Sequence, residues 1–114
     1  MPIIEKGNVE NVLPGVDRWE IVSGELGARS LTVGDVIVSP GSGVPTHVHP
    51  TEEAMVILDG ELEAMLGDET VTVAPGQTVL APAGVKHGFV NRTGSNARLM
   101  AIFPTDKVER TFVD

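Results

Sequence analysis

Short apolar runs separated by turn residues dominate the chain. No stretch of about ten residues shows the 3.6-residue periodicity of an amphipathic helix, and Gly, Pro, Asn and Asp interrupt the runs instead. This pattern predicts roughly eight to ten short strands, as in a β-sandwich or barrel. The predicted strands cover 18–23, 28–39 with a break near Gly34-Asp35, 54–58, 61–66, 69–74, 77–81, 88–92 and 97–103.

The turns between these strands carry their own signals. Asp59-Gly60 and Pro75-Gly76 follow strand-like runs and predict tight turns, with positive φ expected at both glycines. Asn91 closes a later run, and its side chain is expected to bond the backbone of the next turn.

Composition and charge limit the possible functions. The 114 residues allow one domain, 1–114, with a barrel core at about 28–104 and end segments expected to pack on the barrel or on a dimer partner. A net charge of −8 argues against nucleic acid and anionic membranes as partners. The absence of Cys excludes disulfides and thiolate ligands. Neither a signal peptide nor an apolar run long enough to span a bilayer is apparent, so a cytoplasmic protein is expected.

The histidines form the main chemical constellation. His47 and His49 are two residues apart, so on a strand they share one face, and an unbroken strand would place Glu53 on the same face. His87 follows a Pro-Ala-Gly turn and could complete the group from a neighbouring strand. Three imidazoles and one carboxylate suit Mn, Fe, Co, Ni, Cu or Zn.

Two segments around these residues resemble the cupin family. The first motif, G-x5-HxH-x3-E-x6-G, is matched by Gly41, His47, His49, Glu53 and Gly60. The second motif, G-x5-PxG-x2-H-x3-N, is matched by Gly76, Pro82, Gly84, His87 and Asn91.

The resemblance implies an all-β fold, the cupin jelly-roll barrel or double-stranded β-helix. It also implies that His47, His49, Glu53 and His87 bind one divalent transition metal and that the protein forms a homodimer. Glu53 is the best-placed acid/base candidate and the predicted catalytic residue, because the metal would occupy all three histidines.

Strand alternation predicts the lining of a substrate pocket. Met55 and Ile57 would share the face of Glu53, and Phe89 the face of His87, giving an apolar pocket for a small molecule. The favoured alternative is that the same residues are simply barrel core, since apolar residues inside a barrel are the default. Arginines can clamp carboxylates, and the candidates considered are Arg18, Arg29, Arg92 and Arg98.

Two classes of function remain open. The first is a metal-dependent enzyme, either an oxygenase such as a dioxygenase, or an isomerase or lyase acting on a small oxygenated or sugar-acid substrate. The second is a non-catalytic cupin that binds a metal or a small ligand. Turnover of a substrate would separate the two classes.

Overall fold

Eleven strands and one short 3₁₀ turn, Gly24–Leu26, make up the regular structure of residues 3–113, the range that the computed structural model describes. No helix in this range is long and apolar enough to cross a membrane. The strands are β1 (Glu10–Leu13), β2 (Val16–Val22), β3 (Thr32–Val38), β4 (Gly43–Val48), β5 (Glu53–Asp59), β6 (Leu62–Leu66), β7 (Glu69–Val73), β8 (Thr78–Ala81), β9 (His87–Val90), β10 (Ala97–Phe103) and β11 (Thr111–Phe112).

The strands form two antiparallel sheets. The six-stranded sheet has the order β1-β2-β3-β10-β5-β8, and the five-stranded sheet has the order β11-β4-β9-β6-β7. Buried side chains of both sheets join in one hydrophobic cluster, which is almost entirely aliphatic. Burying this apolar surface between the sheets is the main stabilising contribution. The all-β, two-sheet prediction is therefore confirmed.

The sheets extend beyond the predicted core of 28–104. β1 and β2 precede that core and form one edge of the six-stranded sheet, and Val16 is buried in the hydrophobic cluster. At the other end β11 pairs with β4, and the Val113 N–H donates to the Thr46 carbonyl at 3.0 Å. β1 and β11 are therefore edge strands of the two sheets.

The predicted break at Gly34-Asp35 is wrong, because β3 runs without interruption. Gly34 is paired on both sides, with Glu20 of β2 and with Ala101 of β10. Asp35 is buried, and the Arg98 guanidinium donates two hydrogen bonds of 2.9 Å to its carboxylate. Ladder pairing and this ion pair satisfy the polar groups that would otherwise disfavour a strand at this point.

Two turn predictions can be read directly in the backbone. Gly60 has φ +72°, and a Cβ atom there would lie 2.6 Å from the Asn96 carbonyl oxygen, so only glycine fits. The side chain of Asn91 is fully buried, and its Oδ1 accepts from the Thr93 N–H at 2.9 Å while its Nδ2 donates to Val38 and Ser95 carbonyls. This amide thereby fixes the turn that follows β9.

Candidate metal centre

The three histidines and the glutamate converge from both sheets. His47 on β4 stands directly opposite His87 on β9 in the five-stranded sheet, with ring centroids 4.4 Å apart. His49 lies just beyond the end of β4, and Glu53 begins β5 in the six-stranded sheet. One continuous strand therefore does not bring Glu53 to the histidines, contrary to the prediction from the sequence. The chain leaves one sheet after Val48 and enters the other at Glu53.

The four side chains form one compact, buried group. One ligand atom from each of His47, His49, Glu53 and His87 lies within 4.8 Å of all the others. Each residue is at most 5% exposed. A group of this composition and size could hold a metal ion.

A turn next to β9 helps to position the group. The Gly84 N–H donates to the His49 carbonyl at 2.9 Å, which ties the Pro82-Ala83-Gly84 turn to the end of β4. His87 follows this turn at the start of β9.

Backbone carbonyls fix the orientation of all three imidazoles. The Nδ1 of His47 lies 2.8 Å from the backbone carbonyl oxygen of Pro45. The corresponding distances are 2.6 Å from His49 Nδ1 to the backbone carbonyl of Glu109 and 3.0 Å from His87 Nδ1 to that of Val85. A carbonyl can only accept, so each Nδ1 carries a proton, and the Nε2 of each ring keeps its lone pair while that ring is neutral. This is the arrangement that metal-binding histidines need.

The Nε2 atoms of His49 and His87 face a carboxylate oxygen rather than a donor. Glu53 Oε1 lies 2.8 Å from His87 Nε2 and 3.3 Å from His49 Nε2. Two lone-pair acceptors at these distances repel each other unless a cation, either a proton or a metal ion, lies between them. The donor chemistry of the group therefore fits a divalent transition metal.

The electrostatics of the group favour a positive charge next to Glu53, carried by a proton or by a metal ion. Burial lowers the pKa of His47 to about 4, although its hydrogen bond to the Pro45 carbonyl raises it, so the ring is neutral at pH 7. Burial also opposes charge on His87, but its hydrogen bonds to Glu53 and Val85 raise its pKa. Burial raises the pKa of Glu53, yet hydrogen bonds from His49 and His87 hold it below its usual range. The ionised carboxylate of Glu53 is thus stabilised by a positive charge next to it.

An apolar cavity opens on the group. The cavity has a volume of about 50 Å³, and His47, His49 and Glu53 line it together with Met55 and Phe89. The remaining lining residues are mostly aliphatic, from β1, β2, β3, β4 and β10. Of the predicted pocket residues, Ile57 does not line this cavity, and it lies instead on a smaller internal void of about 10 Å³.

Two arginines also line the cavity. Arg18 comes from β2, and Arg110 comes from the segment before β11. Arg18 was among the candidate carboxylate clamps, and its position two residues after the buried Val16 is the sequence signal that aims it inward. Arg110 had no such signal, because its segment shows no regular pattern.

The other candidate clamps lie elsewhere. Arg98 pairs with Asp35, and Arg92 pairs with Glu63 on the surface. Arg29 is exposed.

Comparisons with known proteins agree with this architecture. Residues 34–103 match the family model described as Cupin domain. The chain is 33% identical over 76 residues to polyketide synthase CurC from Streptomyces cyaneus, an alignment that covers 66% of this chain and 49% of that protein. It is 36% identical over 75 residues to protein SchB from Streptomyces halstedii, covering 65% of this chain and 54% of that protein. The chain thus spans about half the length of these curated relatives.

One solved structure aligns over the whole chain. The polyketide cyclase RemF from Streptomyces resistomycificus superimposes with a TM-score of 0.84 at 25% identity, covering 100% of this chain and 87% of that chain. A protein with a double-stranded β-helix domain from Klebsiella pneumoniae aligns with a TM-score of 0.75 at 18% identity, over 85% of this chain and 83% of that chain. With both motifs, two packed sheets and a matching family model, this chain belongs to the cupin domain family.

Proposed function

We propose that the chain is a metal-dependent enzyme and that His47, His49, Glu53 and His87 hold one divalent transition metal. The observation that carries this proposal is the set of three imidazoles and one carboxylate, buried, with one ligand atom of each within 4.8 Å of the others. Carbonyl acceptors fix each ring in the binding tautomer. Mn, Fe, Co, Ni, Cu and Zn all suit this donor set.

The cavity suggests how a substrate would be treated. A bound metal would supply Lewis acidity to a substrate oxygen. The apolar walls, including Met55 and Phe89, would exclude water and strengthen polar interactions inside. Glu53 is the carboxylate that lines the cavity, and it would accept or return a proton at a substrate carbon next to a carbonyl.

Among the reaction classes, we favour isomerase or lyase chemistry on an enolisable carbonyl compound. The similarity to a polyketide cyclase over the whole chain supports this choice, and so does the similarity to two proteins of Streptomyces, one of which is named a polyketide synthase protein. Ring closure of a polyketide starts with removal of a proton next to a carbonyl, which is the role proposed for Glu53. An oxygenase remains the second candidate, because the same donor set binds redox-active Fe and Cu.

Proton exchange tests the favoured reaction without knowledge of the native substrate. The metal-loaded protein is incubated with 2-oxobutyrate in D2O under nitrogen, and loss of the C3 proton signal is followed by NMR. We expect exchange that His47→Ala abolishes, with Glu52→Gln as the control because Glu52 is exposed.

Three other outcomes would each contradict this choice. Oxygen uptake with an Fe- or Cu-loaded sample, without anaerobic exchange, would favour the oxygenase. Metal-dependent ligand binding without any conversion of a wider carbonyl panel would favour a non-catalytic cupin. Exchange that persists in His47→Ala would show that the metal group is not responsible.

Assembly is a further expectation. We propose a homodimer, which the apolar side chains at the N-terminal end support, since Ile3 is 87% exposed and Val9 is 50% exposed. A sedimentation mass of one chain would contradict this proposal.

A further inference from the structure

Arg18 and Arg110 line two separate spaces in the structure. Both arginines line the inner cavity, which His47, His49 and Glu53 also line. Both also line a wider outer basin of about 590 Å³, where Glu10, Glu20 and Asp106 are among the other lining residues. The two arginines therefore lie where the basin and the inner cavity adjoin.

Each of these arginines has a buried donor without an acceptor. The Nε atoms of Arg18 and Arg110 are buried and make no hydrogen bond within the described part of the chain. Arg18 Nη2 lies 3.8 Å from Glu20 Oε2, which is an ion pair beyond hydrogen-bonding distance. A buried guanidinium N–H without a partner is costly, so an acceptor at this point would bind favourably.

The positive charge of Arg18 also acts on Arg110. Burial lowers the pKa of Arg110, and the neighbouring positive charge of Arg18 lowers it further, while Glu53 and Glu10 act in the opposite direction. Two like charges held together in a partly buried place favour an anion between them.

The neighbouring backbone leaves room for Arg18. Gly34 lies beneath its side chain, and a Cβ atom on Gly34 would be 3.2 Å from Arg18 Nε and 3.4 Å from its Cδ. Glycine at this position thus leaves space for the Arg18 side chain next to β3.

We propose that Arg18 and Arg110 form an anion site at the entrance to the inner cavity, and that the substrate is an organic anion. Its carboxylate or enolate oxygen would accept from the two guanidinium groups, and its small apolar part would enter the cavity between Met55 and Phe89. The inner volume of about 50 Å³ has room for only a few atoms, so the rest of a larger substrate would lie in the basin. This inference deepens the proposed function by naming the charge of the substrate.

Anion binding can be measured without any metal. Calorimetric titration of the metal-free protein compares L-lactate with L-lactamide, its neutral analogue of the same shape, and with sulfate. We expect lactate to bind at least about tenfold more tightly than lactamide or sulfate, a factor that corresponds to about 1.4 kcal/mol. Equal binding of lactate and lactamide would overturn the proposal, and tighter binding of sulfate would show a site for inorganic anions instead.

Substitutions assign the site to the two arginines. Arg18→Gln and Arg110→Gln should each lower lactate affinity about tenfold or more, since each removes a charge-assisted hydrogen-bond donor. Arg18→Lys should recover only part of the loss, because lysine lacks the planar fork. Arg92→Gln is the matched control, since Arg92 pairs with Glu63 on the surface. The lactate affinity of this variant should equal that of the unsubstituted protein.

A second variant keeps the test valid if removing Arg18 impairs folding. Gly34→Ala keeps the arginine in the sequence, but the added Cβ would lie 3.2 Å from Arg18 Nε and should displace it. We therefore expect weaker lactate binding with normal metal content. Unchanged lactate affinity in Gly34→Ala and Arg110→Gln together would overturn the proposal. A second result would also overturn it: the unsubstituted protein is a dimer that does not bind lactate, and Arg18→Gln dissociates this dimer in sedimentation. A partner chain would then cover the guanidinium groups.

Failure of this inference and failure of the proposed function have different signatures. His47→Ala should lose metal but still distinguish lactate from lactamide. The arginine variants should lose that distinction but keep the metal.

Discussion

His87 Nε2 lies 2.8 Å from Glu53 Oε1, and this contact joins the two sheets of the barrel. His87 begins β9 of the five-stranded sheet, and Glu53 begins β5 of the six-stranded sheet. When His87 is neutral with its proton on Nδ1, both atoms are acceptors and repel each other. A cation shared between them would remove this repulsion. The proposed metal would therefore also hold the two sheets together at this end.

Glu53→Gln tests the part that the carboxylate plays. We expect metal affinity to fall less than in His47→Ala, because three imidazoles remain, while proton exchange on 2-oxobutyrate is lost. Metal titration and the exchange assay would be run on the same samples. Glu52→Gln, at an exposed neighbouring position, should behave as the unsubstituted protein. Exchange at the normal rate in Glu53→Gln would exclude this carboxylate as the base.

Metal binding should stabilise the fold. A ligand that binds only the folded state at a hundred times its dissociation constant adds about 2.7 kcal/mol to the free energy of unfolding. Thermal unfolding of the chelated and reloaded protein should show this gain. His47→Ala should show little gain under the same conditions, and an equal gain in both proteins would point to metal bound elsewhere.

The buried carboxylate of Asp35 predicts a loss of stability in acid. Hydrogen bonds from Arg98 lower its pKa below 3.8 against the opposing effect of burial, and a hydrogen bond from Lys6 adds to the lowering. Because the pKa is lower in the folded state, the stabilisation is complete above the unfolded-state value of about 3.9 and is lost as pH falls through the folded-state value. Urea unfolding at a series of pH values below about 4.5 would show the decline.

Asp35→Asn provides the matching substitution. It should lower the free energy of unfolding at pH 7 by about 1–3 kcal/mol, because it weakens charge-assisted hydrogen bonds to a buried group. The decline in acid should also be shallower in this variant. Asp68→Asn is the control, since Asp68 is 96% exposed and its pair with Lys86 lies in solvent. Identical acid profiles for Asp35→Asn and the unsubstituted protein would contradict the assignment.

The turn at Gly60 predicts a strong steric effect. Gly60→Ala requires a positive φ of an alanine and brings its Cβ to 2.6 Å from the Asn96 carbonyl, so a loss of at least about 1–2 kcal/mol is expected. Gly94→Ala is the control, because an added Cβ there meets no atom within 4 Å. Chemical denaturation of both variants measures the difference, and equal stabilities would contradict this interpretation of the turn.

The local sequence pattern predicted eight of the eleven strands in the described residues, and its list of strands lacked β1, β4 and β11. Turn pairs and alternating apolar residues correctly indicated seven of the eight predicted strands as uninterrupted strands. These signals depend only on residues a few positions apart. The exception was β3, where Gly34 and Asp35 resemble a turn and only pairing with β2 and β10 makes them a strand. Such pairing depends on distant residues, which a local pattern does not encode.

The site was predicted less evenly. The two motifs identified four residues that the structure brings together, but the even spacing from His49 to Glu53 was not the cause, because the chain changes sheets between them. Arg110 lies near the group only because β11 pairs with β4, a contact across more than half the chain. Ile57 followed the alternation correctly into the core, yet the cavity ends before it is reached.

The most direct test of the central claim is the metal content of the protein. Protein purified without a His-tag and without chelator would be measured by elemental mass spectrometry beside His47→Ala. We predict about one Mn, Fe, Co, Ni, Cu or Zn ion per chain in the unsubstituted protein and a clear loss in the variant. No metal above the level of the variant, even after reconstitution, would contradict the account.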